Sequence, residues 1–151
     1  MTSKKNTVII YTDGACKGNP GKGGWGAVIK FSAVTKEIYG GISDTTNNRM
    51  EMLAAIKGLS FLRSSSIVYL HTDSKYLYHG MTAWMKGWLA NNWKTANKKP
   101  VRNKDLWEQL YILQNFHIVN WFWVKSHGTC SMNIRADELA NMGVMCENTA
   151  Q

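Results

Sequence analysis

The chain has 151 residues and a mass of 17.1 kDa, the size of one domain, and its 44% hydrophobic content excludes a disordered protein. Its 18 Lys and Arg residues against 10 Asp and Glu residues give a net charge of +8, which favours polyanionic partners such as nucleic acid. No stretch is typical of a membrane helix or a signal peptide, so we expect a cytoplasmic protein. The three cysteines are widely spaced, so we expect neither a disulfide framework nor a zinc site. We expect a single domain over residues 1–151 and take a monomer as the default state.

The first part of the chain is typical of three strands. Residues 7–12 form a β-branched and aromatic run followed by Asp13 and a glycine, which predicts a buried strand that ends in a turn. The glycine-rich segment 18–24 predicts a loop. Residues 25–31 and 37–42 predict two more strands, joined to the first as a hairpin or meander.

The rest of the chain alternates helices and strands. Apolar residues at helical spacing predict a helix over residues 47–62, in which Glu51 lies at the margin of the buried face and leans toward the sheet. The later predicted elements are a strand at 67–72, a basic helical segment to about residue 90, a helix at 104–115, a strand at 118–124 and a helix at 133–142. This order predicts an α/β protein with a mixed sheet.

Four of the ten acidic residues could form one site. Asp13 and Asp73 each follow a hydrophobic strand, and parallel neighbouring strands would bring both carboxylates to the same edge of the sheet. Glu51 and Asp137, both on predicted helices, could join them. Clustered carboxylates repel one another unless cations lie between them, and Mg²⁺ prefers oxygen ligands and substrate phosphates. The alternative is that these residues are ordinary helix caps and surface acids.

A basic segment suggests where a polyanion binds. From Lys75 to Lys104 there are seven basic residues and no acidic one, interleaved with Trp84, Trp88 and Trp93. Phosphate neutralisation combined with aromatic surface is typical of sequence-tolerant nucleic-acid binding. The alternative is a solvated helical surface whose tryptophans point into the core. The basic residues are Lys75, Lys86, Lys94, Lys98, Lys99, Arg102 and Lys104.

One histidine stands out for its position. His127 lies in a polar segment between the last predicted strand and the last predicted helix. A histidine near metal ions can transfer protons at neutral pH, but an ordinary surface histidine would fit the same pattern.

Five motifs in order resemble type 1 ribonuclease H of the bacterial kind. The resemblance covers nearly the whole chain and implies a ribonuclease H-like α/β fold, with a five-stranded mixed sheet whose first three strands are antiparallel, flanked by helices. The motifs are Tyr-Thr-Asp-Gly-Ala-Cys-Lys-Gly-Asn-Pro-Gly at 11–21, Thr-Thr-Asn-Asn-Arg-Met-Glu at 45–51, Thr-Asp-Ser at 72–74, Lys-Thr-Ala-Asn-Lys-Lys-Pro-Val at 94–101 and Ala-Asp-Glu-Leu-Ala at 136–140.

The resemblance also implies a reaction. Members of this family hydrolyse the RNA strand of RNA:DNA hybrids with two Mg²⁺ or Mn²⁺ ions and leave 5′-phosphate and 3′-hydroxyl ends. By motif, the metal-binding acids are Asp13, Glu51, Asp73 and Asp137, with Asp13 shared by both ions. His127 matches the family's mobile histidine, which would assist proton transfer or product release.

Substrate contacts are implied in the same way. Asn19, Thr46 and Asn47 fall on positions that contact backbone phosphate or the minor groove in relatives. The stretch 84–100 resembles the basic protrusion that holds the DNA strand. Its expected contacts are Trp84, Lys86, Trp88, Lys94, Lys98 and Lys99.

The chain also departs from the family pattern. Lys75 stands where relatives often have a glutamine beside the substrate, so an extra charge is expected to alter affinity. Thr129 and the Asn133-Ile134 pair replace a glycine and an Asn-Glu pair, which concerns product release rather than the chemistry. A module of the same fold that binds hybrids without cutting them is the alternative function, and the presence of all four acids disfavours it.

Overall fold

Eleven elements follow one another in a computed structural model that describes residues 5–125 and 130–146. The strands are β1 (Asn6–Lys17), β2 (Gly21–Lys30), β3 (Thr35–Thr45), β4 (Ser66–Thr72) and β5 (Ile118–Trp123). The α-helices are α1 (Asn47–Phe61), α2 (Lys75–His79), α3 (Met85–Ala90), α4 (Lys104–Phe116) and α5 (Ser131–Met145), and a π-helical turn, Gly80–Trp84, joins α2 to α3.

The strands form one mixed sheet in the order β3-β2-β1-β4-β5. β1, β2 and β3 pair antiparallel, whereas β4 is parallel to both β1 and β5. The predicted α/β fold with an antiparallel beginning is therefore confirmed. The long connections after β3 and β4 contain helices, as parallel pairing requires.

Helices cover the two faces of the sheet unequally. Val8 and Ile10 of β1 belong to the larger core, which α1, α2 and α4 complete. On the opposite face Val28 is buried against Ala136 and Leu139 of α5. Because α5 makes its main contacts with β1, β2 and β3, that face of β4 and β5 stays more open. None of the helices in the described ranges is both long and apolar enough to cross a bilayer.

Two sequence predictions about the first strands are wrong. The first strand does not end at Asp13 but continues to Lys17, and the predicted loop 18–24 lies largely inside β2. The glycines of β2 instead allow the helix α5 to approach the sheet closely. A Cβ on Gly26 would lie 2.6 Å from Leu139 Cβ and 2.7 Å from Ala140 N, so α5 packs with its backbone almost on the sheet.

Other boundaries differ by a few residues. β3 extends beyond the predicted 37–42, and α5 begins two residues before and ends three residues after the predicted 133–142. The extra residues of β3 are mostly exposed and polar, so they carry no apolar alternation, and pairing with β2 keeps them extended.

The close approach of α5 depends on several glycines, and Gly26 tests it. We expect Gly26→Ala to lower the free energy of unfolding by about 1–3 kcal/mol, because the added methyl group overlaps the α5 backbone. The matched control is Gly87→Ala in α3, where nothing lies within 4 Å of the added Cβ. That change should raise stability by about 0.5–1 kcal/mol through helix propensity. Chemical denaturation measures both, and equal effects of the two substitutions would contradict this packing.

The π-helical turn packs closely on the core. Gly80 faces the ring of Trp107 so closely that any Cβ would overlap it. Trp107 is fully buried, and Trp88 of α3 packs against it with ring centroids 5.1 Å apart. The turn is therefore followed by a helix, α3, that packs on a large and fully buried ring.

Candidate active site

Asp13 lies where the pairing of β1 changes. The parallel pairing of β1 with β4 ends at Thr12 and Thr72, whereas its antiparallel pairing with β2 continues to Lys17. Asp13 is therefore the first residue of β1 beyond the parallel ladder. Its carboxylate is fixed by the Gly14 main-chain N–H, which donates to Oδ1 at 2.8 Å.

Glu51 reaches Asp13 because Gly14 has no side chain. A Cβ on Gly14 would lie 2.5 Å from Glu51 N and 2.6 Å from Met50 C, so α1 crosses β1 at its closest at this point. α1 begins at the N-cap Thr46, whose hydroxyl accepts from Arg49 N at 3.2 Å. Glu51, in the next turn, is only 6% exposed.

Asp73 is held between a strand end and a helix start. Thr72 Oγ1 accepts from Ser74 N, and Ser74 Oγ accepts from Leu77 N, both at 3.1 Å, which caps α2 directly after Asp73. The indole N–H of Trp123 donates to the main-chain oxygen of Asp73 at 3.1 Å. The backbone of Asp73 is thus held by both β4 and β5.

The three carboxyl groups meet in one cluster. Asp13, Glu51 and Asp73 each offer an oxygen within 4.8 Å of the others. Burial, followed by the charge of Asp73, raises the pKa of Asp13 to about 8, and burial together with both aspartates raises the pKa of Glu51 well above its usual range. Glu51 Oε1 is buried without a hydrogen-bond partner. Carboxylate oxygens that repel one another, with Glu51 Oε1 lacking a donor, suit a hard divalent cation.

Asp137 lies beside this cluster rather than within it. It is exposed on α5, and its charge contributes to the raised pKa of Asp13. Its main-chain oxygen accepts from Asn141 Nδ2 at 2.9 Å. Because α5 is pressed onto β2, the position of Asp137 relative to Asp13 depends on the sheet glycines.

Two residues named from the sequence, His127 and Thr129, lie outside the described residues. The departures at Asn133 and Ile134 fall in the first turn of α5, where Asn133 is buried and Ile134 is 46% exposed. They lie on the same helix as Asp137.

The expected minor-groove and phosphate contacts form one group at the start of α1. Asn19 Oδ1 accepts from the main-chain N–H of Asn47 at 3.0 Å, so the turn between β1 and β2 is tied to α1. Thr46 caps the same helix. The positive end of a 15-residue helix therefore faces the side where Asn19, Thr46 and Asn47 are gathered.

The tryptophans of the basic segment form a connected row. Trp84 packs on Trp88 at 5.9 Å between ring centroids, and Trp88 on Trp93 at 6.3 Å. Trp84 is 41% exposed, whereas Trp88 and Trp93 are half-buried against the core. Trp84 and Trp88 line a groove of about 430 Å³ together with Lys94. The exposed lysines of this segment are Lys86, Lys94, Lys98 and Lys99.

Lys75 does not belong to that row. It begins α2, two residues after Asp73, and its Nζ lies 5.2 Å from the centroid of the Trp123 ring. The structure thus places Lys75 next to the acid cluster and apart from the tryptophan row.

Sequence reasoning missed the residues that position the site. It assigned Gly14 to a turn, and it gave Trp123 no role. The bidentate ion pair between Arg49 and Asp105, at 2.7 Å between Nη2 and Oδ2, also joins the start of α1 to α4. No local pattern signals any of these contacts, because each partner is distant in sequence.

Comparison with protein families identifies relatives over almost the whole chain. The family model described as RNase H matches residues 5–145. Ribonuclease H of Francisella tularensis subsp. novicida is 57% identical over 141 residues, which cover 93% of this chain and 93% of the relative. Ribonuclease H of Francisella philomiragia subsp. philomiragia is 56% identical over 142 residues, with 94% and 93% covered.

Solved structures show the same relationship. The crystal structure of LC9-RNase H1, described as a type 1 RNase H with the type 2 active-site motif, superposes with a TM-score of 0.85 at 28% identity and covers 96% of this chain and 75% of that one. The crystal structure of LC11-RNase H1 in complex with an RNA/DNA hybrid has a TM-score of 0.70 at 26% identity, with 91% and 96% covered.

Proposed function

Since the chain belongs to the ribonuclease H family, we propose that its acid cluster hydrolyses the RNA strand of RNA:DNA hybrids with two divalent metal ions. The chain is a metal-dependent endonuclease of this family, and RNA:DNA hybrid is its substrate. The observation that carries the proposal is the group of three carboxyl groups, of which Asp13 and Glu51 are buried and in which Glu51 Oε1 has no donor of its own.

Each acid has a separate task in this proposal. Asp13 would hold both ions, Glu51 and Asp73 would complete the first site, and Asp137 would belong to the second. Bound ions supply an activated water, neutralise the phosphate and stabilise the leaving 3′-oxygen. The products would then carry 5′-phosphate and 3′-hydroxyl ends. His127 would assist proton transfer or product release.

The residues that surround the cluster would distinguish the two strands. Asn47 and Glu51 lie in the first turns of α1, where hydrogen bonds to 2′-hydroxyl groups in the minor groove would recognise RNA. Asn19 and Thr46 beside them would contact backbone phosphate or the minor groove. The row of Trp84 and Trp88 with its lysines would hold the DNA strand, since stacking and positive charge need no base reading.

Strand choice tests this function. We expect cuts in RNA only when it is paired with DNA, at many positions, and none in RNA:RNA, DNA:DNA or single strands of the same sequence. Each strand carries its own label, and the reaction is run with Mg²⁺ and with EDTA. Equal cutting of all duplexes would show that only the backbone is recognised, and binding without cutting would favour the alternative of a non-cleaving module.

The basic segment gives a second, independent prediction. Lys86→Ala with Lys94→Ala should weaken hybrid binding and reduce the slope of log affinity against log salt by about 0.9 for each phosphate that the variant no longer neutralises. Lys30→Ala with Lys36→Ala is the control, because it removes the same charge where β2 and β3 are joined, outside the basic segment. This variant should leave the slope nearly unchanged. The measurement is a salt titration of hybrid affinity in EDTA. Identical slopes for the two variants would argue against contacts between the basic segment and the phosphates of the hybrid.

Three further properties complete the proposal. Mg²⁺ is the cation we expect in the cell, with Mn²⁺ as a substitute, because the cluster offers oxygen ligands only. We expect a monomer made of one ribonuclease H domain over residues 1–151. A cytoplasmic location agrees with its three free cysteines.

A further inference from the structure

The indole of Trp123 is bound to the backbone of one of the clustered acids. Its N–H donates to the main-chain oxygen of Asp73 at 3.1 Å. Trp123 is the last residue of β5 and lies opposite Thr72, where the pairing of β4 with β5 ends. The side chain thus bonds one residue beyond the point that the strand pairing reaches. The proposed reaction has no task for this side chain.

Asp73 is the single residue between β4 and the N-cap of α2. The pairing of β4 with β1 and with β5 ends at Thr72. The first main-chain hydrogen bond of α2 runs from Tyr78 N to Ser74 O, one residue after Asp73. The main-chain oxygen of Asp73 therefore belongs to neither element, and the indole of Trp123 connects it to β5.

A small displacement of Asp73 would matter for a bound Mg²⁺ ion. This ion requires oxygen ligands at about 2.0–2.1 Å in a nearly octahedral arrangement. Asp13, Glu51 and Asp73 lie on or beside three different elements, so their relative positions depend on contacts of the backbone. Groups that hydrogen-bond to metal-binding residues orient them, and losing such a group typically changes metal affinity by about 10–100-fold.

The ring of Trp123 is itself held in place. The ammonium group of Lys75 lies 5.2 Å from the ring centroid, and Lys75 begins α2 two residues after Asp73. Trp123 is 41% exposed and is not among the residues of the hydrophobic core. A change of this side chain is therefore expected to act locally, at the junction of β4 and α2.

We propose that Trp123 is a positioning residue, whose indole N–H fixes the main-chain oxygen of Asp73 and so holds the Asp73 carboxylate where the first metal ion binds. The proposal rests on the proposed function, because it takes Asp73 as a ligand of that ion. It adds a residue of β5 to the site, and it assigns this residue an effect on metal affinity rather than on the chemical step.

The test removes the indole N–H and measures the binding of Mg²⁺ alone by calorimetry. Trp123→Phe keeps a ring beside Lys75 but has no donor. Replacement of Trp123 by 3-benzothienylalanine keeps the shape of the whole side chain and exchanges only the N–H for sulfur. We expect both changes to weaken Mg²⁺ binding by about tenfold. Since no hybrid is present, the result does not depend on cleavage.

Trp121→Phe is the matched control. Trp121 lies two residues earlier on β5, on the same face of the sheet, and its indole N–H donates to Gln114 Oε1 of α4 at 3.0 Å. This variant also loses one indole hydrogen bond, but the lost partner is not one of the clustered acids. It should lower the melting temperature in EDTA and leave Mg²⁺ affinity unchanged. A purely structural role of Trp123 would give the same pattern in both variants.

Hybrid cleavage then separates metal affinity from chemistry. Single-turnover rates are measured over a range of Mg²⁺ concentrations. We expect Trp123→Phe to need about tenfold more Mg²⁺ for its half-maximal rate and to reach a rate within about twofold of the parent at saturation.

Three results would overturn the proposal. These are unchanged Mg²⁺ affinity after the benzothienylalanine replacement, an equal loss of Mg²⁺ affinity in Trp121→Phe, or a reduced rate that saturating Mg²⁺ does not restore. Asp73→Asn is measured beside these variants. If it bound Mg²⁺ as tightly as the parent, Asp73 would not be a ligand and the proposed function would be refuted. A loss in Asp73→Asn without a loss in the Trp123 variants would refute the positioning role alone.

Discussion

Asp73→Asn is expected to reduce hybrid cleavage by at least about 10³-fold while hybrid affinity in EDTA changes little. The amide keeps the shape of the side chain and leaves the main-chain bond from Trp123 intact. It removes one negative oxygen from a group of three that lies within 4.8 Å. Single-turnover cleavage, measured over a range of Mg²⁺ concentrations, gives the loss directly.

The control for this prediction changes the same charge elsewhere. Asp44→Asn also removes one exposed acid, near the end of β3, and lies outside the carboxyl cluster. It should retain cleavage within about threefold of the parent, since it alters only the net charge. If Asp73→Asn cleaved as well as Asp44→Asn, the acid cluster would not be the active site.

Stability in the absence of metal should fall as pH rises from about 6.5 to about 8. The pKa of Asp13 is raised to about 8, above its unfolded value of 3.8, so the folded carboxyl group retains a proton that the unfolded chain has lost. Raising the pH removes that proton and leaves a buried charge beside Glu51 and Asp73. Above the raised pKa the loss is complete.

Two histidines set the lower limit of this pH range. Burial lowers the pKa of His71 and of His117, so the unfolded chain takes up protons first and stability falls again below about pH 6.5. The effect of the carboxyl cluster, to which Asp13 and Glu51 both contribute, is therefore separated from that of the histidines between about pH 6.5 and pH 8.

The measurement is a thermal melt in EDTA across this pH range. We expect Tm to fall by roughly 2–4 °C, and Asp13→Asn should be more stable than the parent at the upper end by about 1 kcal/mol. Saturating Mg²⁺ should remove most of the slope, because the cation replaces the proton. A parent and variant with parallel profiles in EDTA would contradict a clustered site.

The sequence predicts those parts of this molecule that depend on local pattern. Alternation and helical spacing locate all five strands and the main helices, and the rule that ligands gather at strand ends brings Asp13 and Asp73 together. Glu51, which the sequence places only at a helix margin, proves to be buried. The catalytic roles of these acids stay predictions.

Predictions from the local sequence are wrong where an element distant in the chain determines the local structure. The glycines of β2 are typical of a loop, yet they form a strand by pairing with β1 and β3. Gly24 and Gly26 lie where the α5 backbone, more than a hundred residues later, leaves no room for side chains. Gly14 is typical of a turn for the same local reason, yet it admits α1 to the side of Asp13. Trp88 and Trp93 are partly buried against the core. The spacing of apolar residues does not distinguish such partly buried side chains from fully buried or exposed ones.

The π-helical turn Gly80–Trp84 makes the length of this segment matter as much as its composition. Each residue of an α-helix advances the side chains by about 100°, so deletion of one residue from the turn would yield a more regular helix with every later side chain rotated by that angle. Trp88 would no longer pack on Trp107, and Lys86 would point in a new direction. Over evolutionary time, insertions and deletions in this turn would therefore change the direction of the side chains in the following basic segment while leaving its residues unchanged.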